Sequence, residues 1–145
     1  MIKESHKISI DKDISTIFDF INDDSKLHTW VNGIVSIEPI GTHTGGIGDS
    51  VLIKVNIPND AEITSTLIEY EKPTRMSIKY SSNGMNGKMS YDLEDLGNST
   101  ELKVMAQHNA QGIFMKILSP IIGFVIKKER KKELIRLKKV IEALD

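Results

Sequence analysis

The side chains able to do chemistry in this chain are few, and most fall at alternating positions of strand-like segments. Glu4 and His6 stand two residues apart in a segment where Ile2, Glu4, His6, Ile8 and Ile10 share one side and Lys3, Ser5, Lys7 and Ser9 the other. A carboxylate beside an imidazole is either a polar pair at the mouth of a cavity or two exposed residues of an edge strand. His108 closes another alternating segment, after Leu102, Val104 and Ala106, on the side the pattern turns inward. An imidazole titrates near neutral pH and can serve as acid, base or orienting donor. It also fits a strand exit, bonded to backbone. His108 is the acid/base candidate, and no complete catalytic set can be assembled around it. Tyr80 and Tyr91 face inward on their own segments and can aim hydroxyls at a ligand oxygen, or spend them on a nearby carbonyl or water. His28 and Trp30 can gate an entrance, or Trp30 can plug the core.

Several chemistries are excluded or disfavoured by what is missing. The chain has no cysteine, which removes thiolate nucleophiles, disulfides, iron–sulfur clusters and cysteine-ligated zinc. Its four histidines, His6, His28, His43 and His108, show no paired ligand spacing, so no metal site is expected. The glycine-rich stretch 41–48 lacks the Gly-Lys-Ser/Thr ending of a phosphate loop and joins two strands, so it reads as a turn. No serine sits in a nucleophile elbow. No cofactor is expected.

The elements that must position these residues follow from periodicity. The 145 residues make one domain, 1–145, long enough to bury a sizeable core. After the first strand, Asp11 or Asp13 can cap a helix whose stripe is Ile14, Ile17, Phe18 and Ile21. Residues 25–31 make a second short helix. Six alternating segments follow between residues 34 and 108, with turns at 41–49, Pro58-Asn59-Asp60, 72–74, 82–87 and 97–99. Close spacing and short turns imply an antiparallel meander. The last third is helical, with Ile113, Phe114, Ile117, Leu118, Ile121, Ile122 and Val125 on one face and Leu134, Leu137, Ile141 and Leu144 continuing it. Pro120 should kink or interrupt this helix, because it lacks a backbone donor.

Particular residues reinforce this order. Ile14-x-x-Ile17-Phe18-Asp19-Phe20-Ile21-Asn22-Asp23, Trp30 shortly after, Gly46-Ile47-Gly48-Asp49-Ser50, Glu69-Tyr70-Glu71-Lys72-Pro73-Thr74-Arg75-Met76 and Leu137-Lys138-Lys139-Val140-Ile141-Glu142 stand in sequence along the chain. In these motifs and their order the whole chain resembles the polyketide cyclase/dehydrase and lipid-transport superfamily of START-like and plant-allergen-like proteins. The resemblance implies an α+β helix-grip fold, a curved antiparallel sheet of about seven strands wrapped round a long C-terminal helix. It also implies a cavity between sheet and helix for an apolar small molecule such as a lipid, a polyketide-like compound or a quinone. The lining expected for it comprises Val51, Ile53, Val55, Ile63, Met76, Ile78, Tyr80, Met89, Tyr91, Val104 and His108 on the sheet, facing Phe114, Ile117 and Ile121 on the helix, with Trp30 at the entrance. Packed tightly, the same residues would simply be a core. A binding or carrier role leads. A cyclase or dehydratase and a membrane-peripheral accessory role are the alternatives, so whether the chain is an enzyme is left open.

Charge bears on partners. The net charge is −1, with a sequence pI of about 6.4, which argues against a general nucleic-acid binder. From residue 113 onward there are nine basic and four acidic residues, against ten and sixteen before it. The run Lys127-Lys128-Glu129-Arg130-Lys131-Lys132-Glu133 reads as a solvated helix face, or as a surface with weak attraction to anionic membrane diluted by its two glutamates. No apolar run reaches the roughly 20 residues that cross a bilayer, and the first residues do not read as a signal peptide. A cytoplasmic protein is expected, and its oligomeric state is left open.

Overall fold

In the computed structural model, which describes residues 1–57 and 59–145 and every side chain among them but that of Phe114, the chain folds as one seven-stranded sheet and a long helix. The strands are β1 (Ile2–Ile10), β2 (Ile34–Ile40), β3 (Ser50–Val55), β4 (Ala61–Glu71), β5 (Arg75–Ser82), β6 (Met85–Asp95) and β7 (Thr100–Ala110). The helices are α1 (Ile14–Ile21) and α2 (Ile113–Glu142), with a 3₁₀ turn at Asp24–Thr29. The sheet order is β1-β7-β6-β5-β4-β3-β2, antiparallel throughout. Only β1 leaves the meander, crossing to pair with β7 and leaving β2 and β1 as the two edges.

Local chemistry explains the punctuation. Of the two candidate caps, Asp13 is the one used: its carboxylate accepts from Thr16 N–H at 3.0 Å, and α1 then buries Ile17, Phe18, Phe20 and Ile21. In the glycine-rich turn, Asp49 accepts from the backbone of Thr44, Gly45 and Gly46 at 2.8–3.1 Å, so this segment is a carboxylate-centred turn. The expected turn residue Pro58 lies outside the described residues.

Two features depart from expectation. Residues 85–87 belong to β6 and not to the preceding loop, so Gly87 lies within the sheet opposite Tyr80 and His108. Helix α2 runs through Pro120 without interruption. No helix is long and apolar enough to cross a membrane among the described residues.

Register places alternate residues of every strand on one concave face. Glu4 and His6 pair with Ala106 and Val104, His108 with Gly87, Gly87 with Tyr80, Tyr80 with Ser65 and Ile63 with Ile53. The core fills the end of this face under α1 and the second half of α2, where Ile10, Ile17, Phe18, Leu102, Val104, Leu137 and Ile141 are fully buried. Helix α2 packs chiefly on the β1 edge, with lesser contact to β7 and the 3₁₀ turn. It therefore covers one side of the sheet and leaves β3–β5 less covered.

Candidate functional site

The polar residues singled out from sequence on β1, β5 and β7 converge. Glu4 is fully buried at its side chain, and His108 nearly so. His108 Nε2–H donates to Glu4 Oε2 at 2.6 Å, and His6 Nε2 reaches Oε1 at 3.0 Å. Arg130, on α2, brings its Nε to within 3.4 Å of the same Oε1, and its other arm pairs with Glu133 one turn along the helix. The Tyr80 hydroxyl bonds to His108 Nδ1. A chain of hydrogen bonds thus runs from a half-buried phenol through an imidazole to a buried carboxylate, with Arg130 behind it.

Opposing effects set the charges. Burial pushes the Glu4 carboxyl up, but hydrogen bonds from His108 and His6 and the Arg130 guanidinium together outweigh it and hold it at about 2. Glu4 is therefore an ionised, acceptor-only anchor. Burial and the Glu4 charge push the Tyr80 hydroxyl up to about 12, with Arg130 opposing, so it remains a phenol. Burial raises the Glu133 carboxyl despite its pairing with Arg130. With Nε2 donating to Glu4, the neutral His108 ring accepts the Tyr80 O–H at Nδ1. The imidazolium would instead donate there, freeing the phenol proton to point at a ligand. The arrangement can hold a proton at Tyr80 or offer a lone pair from it, which suits an oxygen-bearing guest. Arg130 pairs with Glu4, and among the described residues no group of three or more His, Asp or Glu side chains is placed to hold an ion.

Gly87 makes room for the phenol. A Cβ there would come within 2.2 Å of the Gln107 carbonyl oxygen and 2.9 Å of the Tyr80 ring. A glycine inside a strand marks such close approach. Alternation alone does not point to this role, and in the sequence Arg130 and Glu133 look like solvated charge. Interruption of an alternating run by Gly87 was the available signal.

The expected apolar lining divides into three groups. Ile53, Val55, Ile63, Ile78 and Tyr80 share the concave face and are half-buried. Val51, with Ser65, Leu67, Tyr70 and Met76, lines a recess of about 290 Å3 beside the glycine-rich turn, on the same face. Met89, Tyr91, Val104 and Trp30 are buried in the packed core, as is Met76 at the floor of the recess, and His108 lies in the polar network. Trp30 therefore plugs the core and does not gate an entrance. Its indole N–H finds no acceptor among the described residues.

On the helix the expectation needs correction. Ile117 and Ile121 are exposed and point away from the sheet. Helix phase is fixed by Gly123, whose position abuts Ile2, and by Arg130, Leu137 and Ile141, which leaves Leu118, Ile122 and Ile126 on or beside the covered side. The side chain of Phe114 lies outside the described residues. Glu4 and His6 are not exposed edge residues either, because α2 covers the β1 edge.

The family model described as polyketide cyclase / dehydrase and lipid transport matches residues 1–142. The chain belongs to this polyketide cyclase/dehydrase and lipid-transport family. Solved structures share its fold at low identity. A conserved protein of Geobacillus kaustophilus superposes with a TM-score of 0.78 at 16% identity, covering 97% of this chain and 95% of that one. A START superfamily protein of Mycobacterium smegmatis gives 0.74 at 16%, covering 98% and 95%. The di-domain ARO/CYC StfQ of the steffimycin biosynthetic pathway gives 0.73 at 12%, covering 96% of this chain and 44% of StfQ. No curated protein matches the sequence. Membership and superposition bear out the START-like helix-grip architecture. For this family member, ligand binding and cyclase-type chemistry are both within the family's description.

Proposed function

We propose that this family member binds an apolar small molecule, of lipid, polyketide-like or quinone-like class, in the cleft between the concave face of β3–β5 and α2. One observation carries the reading: Ile53, Val55, Ile63 and Ile78 share an inward face yet are only half-buried. Branched apolar side chains on the inner face of a sheet are normally sealed by whatever packs there, so their residual exposure marks space for a guest. Burial of such a guest gains roughly 25 cal/mol per Å2 of apolar surface. Tyr80 and the His108–Glu4 pair at the edge of this surface supply the polar group that orients it. Native mass spectrometry of freshly purified protein, followed by denaturing extraction, tests this. A reproducible bound mass whose occupancy falls in Ile53→Trp and Ile78→Trp supports it. A bound mass indifferent to both substitutions overturns the assigned location.

A second reading rests on the Tyr80–His108–Glu4 chain. A carrier needs only one orienting donor, whereas a buried relay can also move a proton, as a cyclase or dehydratase requires. Turnover of a polyketide-like substrate that disappears in Tyr80→Phe while the ligand is still captured favours the enzyme. Equal product from wild type and Tyr80→Phe removes it.

A further inference from the structure

The first half of α2 exposes a row of large apolar residues that neither the sheet nor the cleft uses. Ile113, Ile117, Ile121, Phe124 and Val125 are each between 58% and 80% exposed. At about 100° per residue, Ile113, Ile117, Ile121 and Phe124 fall on the side of the helix opposite Ile126, Arg130 and Leu137. Scattered exposed isoleucines need no explanation, but a contiguous row does. The same outward side continues into Lys128, Lys131 and Lys132, with Lys127 flanking it, all exposed. The two glutamates of this run do not offset the lysines locally. Glu129 is held by Arg136 at 2.8 Å, and Glu133 is buried against Arg130. Among the described residues, none of the four lysines makes an ion pair.

We infer that this outward face of α2 docks on an anionic lipid surface, with the isoleucines and Phe124 entering the headgroup boundary and the four lysines lying on the phosphates. Charge complementarity selects this occupant: the face is apolar, then basic, with no unspent acid. Residues 113–126 span roughly 20 Å, which suits a helix lying in the interface and not one crossing it. The docked face is the side of α2 turned away from the sheet, so it stands independently of what the cleft holds.

Co-sedimentation of the full chain with phosphatidylcholine vesicles, with and without about 30% phosphatidylserine, tests the inference. The anionic vesicles should take up the protein at low salt and release it near 0.5 M salt, where charges are screened within about 4 Å. Lys128→Ala with Lys131→Ala should lower partition roughly 25-fold, about fivefold per lysine. Ile117→Asp with Phe124→Asp should lower it at least about tenfold, and both positions are exposed, so thermal unfolding should stay at the wild-type temperature. No uptake at low salt overturns the inference, as does equal uptake by neutral vesicles. A dimer in solution that Ile117→Asp splits, without vesicle binding, also overturns it and assigns the face to a second copy.

Discussion

His108 on β7 donates its Nε2–H to Glu4 on β1 at 2.6 Å, joining residues 104 apart in sequence. Among the described residues, the pair sits at the only sheet neighbours brought together by a crossover, since every other adjacent pair of strands is consecutive in the chain. One imidazole thereby links the first strand to the last, and its other nitrogen reaches Tyr80.

Glu4→Gln should destabilise the protein by about 3 kcal/mol at neutral pH, because it removes the charge that His108, His6 and Arg130 all address. The pH dependence has a definite sign. The folded carboxyl titrates near 2, below its ordinary 4.5, so its contribution is complete above about pH 4.5 and is lost as pH falls through 2. Glu133, raised by burial, acts in the opposite sense and is common to both proteins. Urea melts of wild type and Glu4→Gln across this range should converge in acid. A constant gap would show that Glu4 contributes by packing alone.

Gly87→Ala should cost several kcal/mol and disturb the phenol, since the added methyl meets the Gln107 carbonyl and the Tyr80 ring. Thermal unfolding measures the first effect, and the Tyr80 ring signals in a proton spectrum measure the second. A variant as stable as wild type, with those signals unmoved, would refute the close approach.

Much of this arrangement was legible in the sequence, and the failures have physical causes. Alternation placed Glu4, His6, Tyr80 and His108 on one face, because side-chain direction in a strand depends only on parity. Contact between them depends on strand order and on Gly87, neither of which is local. The phase of α2 is not legible in the sequence because residues 113–126 are apolar on nearly all sides, leaving no polar face to set it. The phase is set farther along, by Arg130, Leu137 and Ile141 against β1 and the core. Arg130 and Glu133 look like solvated charge in a basic run, and only the packing of α2 over β1 reveals them as buried partners.

Core and cleft should respond differently to truncation. Leu102→Ala, at a fully buried site, should cost about 2–5 kcal/mol. Ile53→Ala, at a half-buried one, should cost about 1 kcal/mol or less in the ligand-free protein, since fewer contacts are lost. Chemical denaturation of the two variants provides the comparison. Equal losses would mean that the inner face of β3 is sealed core.

Removal of the Tyr80 hydroxyl separates binding from stability. Tyr80→Phe should cost only about 1 kcal/mol in a urea melt, one hydrogen bond to His108 being lost. Affinity for an oxygen-bearing guest should fall roughly tenfold by the same reasoning. Titration calorimetry with the extracted ligand would check it, and unchanged affinity would show that the phenol serves the network and not the guest.

Isoleucine-methyl spectra recorded during titration with anilinonaphthalene sulfonate test the central claim most directly. Isoleucines report separately on the cleft (Ile53, Ile63, Ile78), the core (Ile10, Ile17, Ile141) and the outer face of α2 (Ile117, Ile121). A guest in the cleft predicts saturable shifts at Ile53, Ile63 and Ile78 with the core methyls unmoved. Shifts confined to Ile117 and Ile121, or absent at every isoleucine, would contradict it.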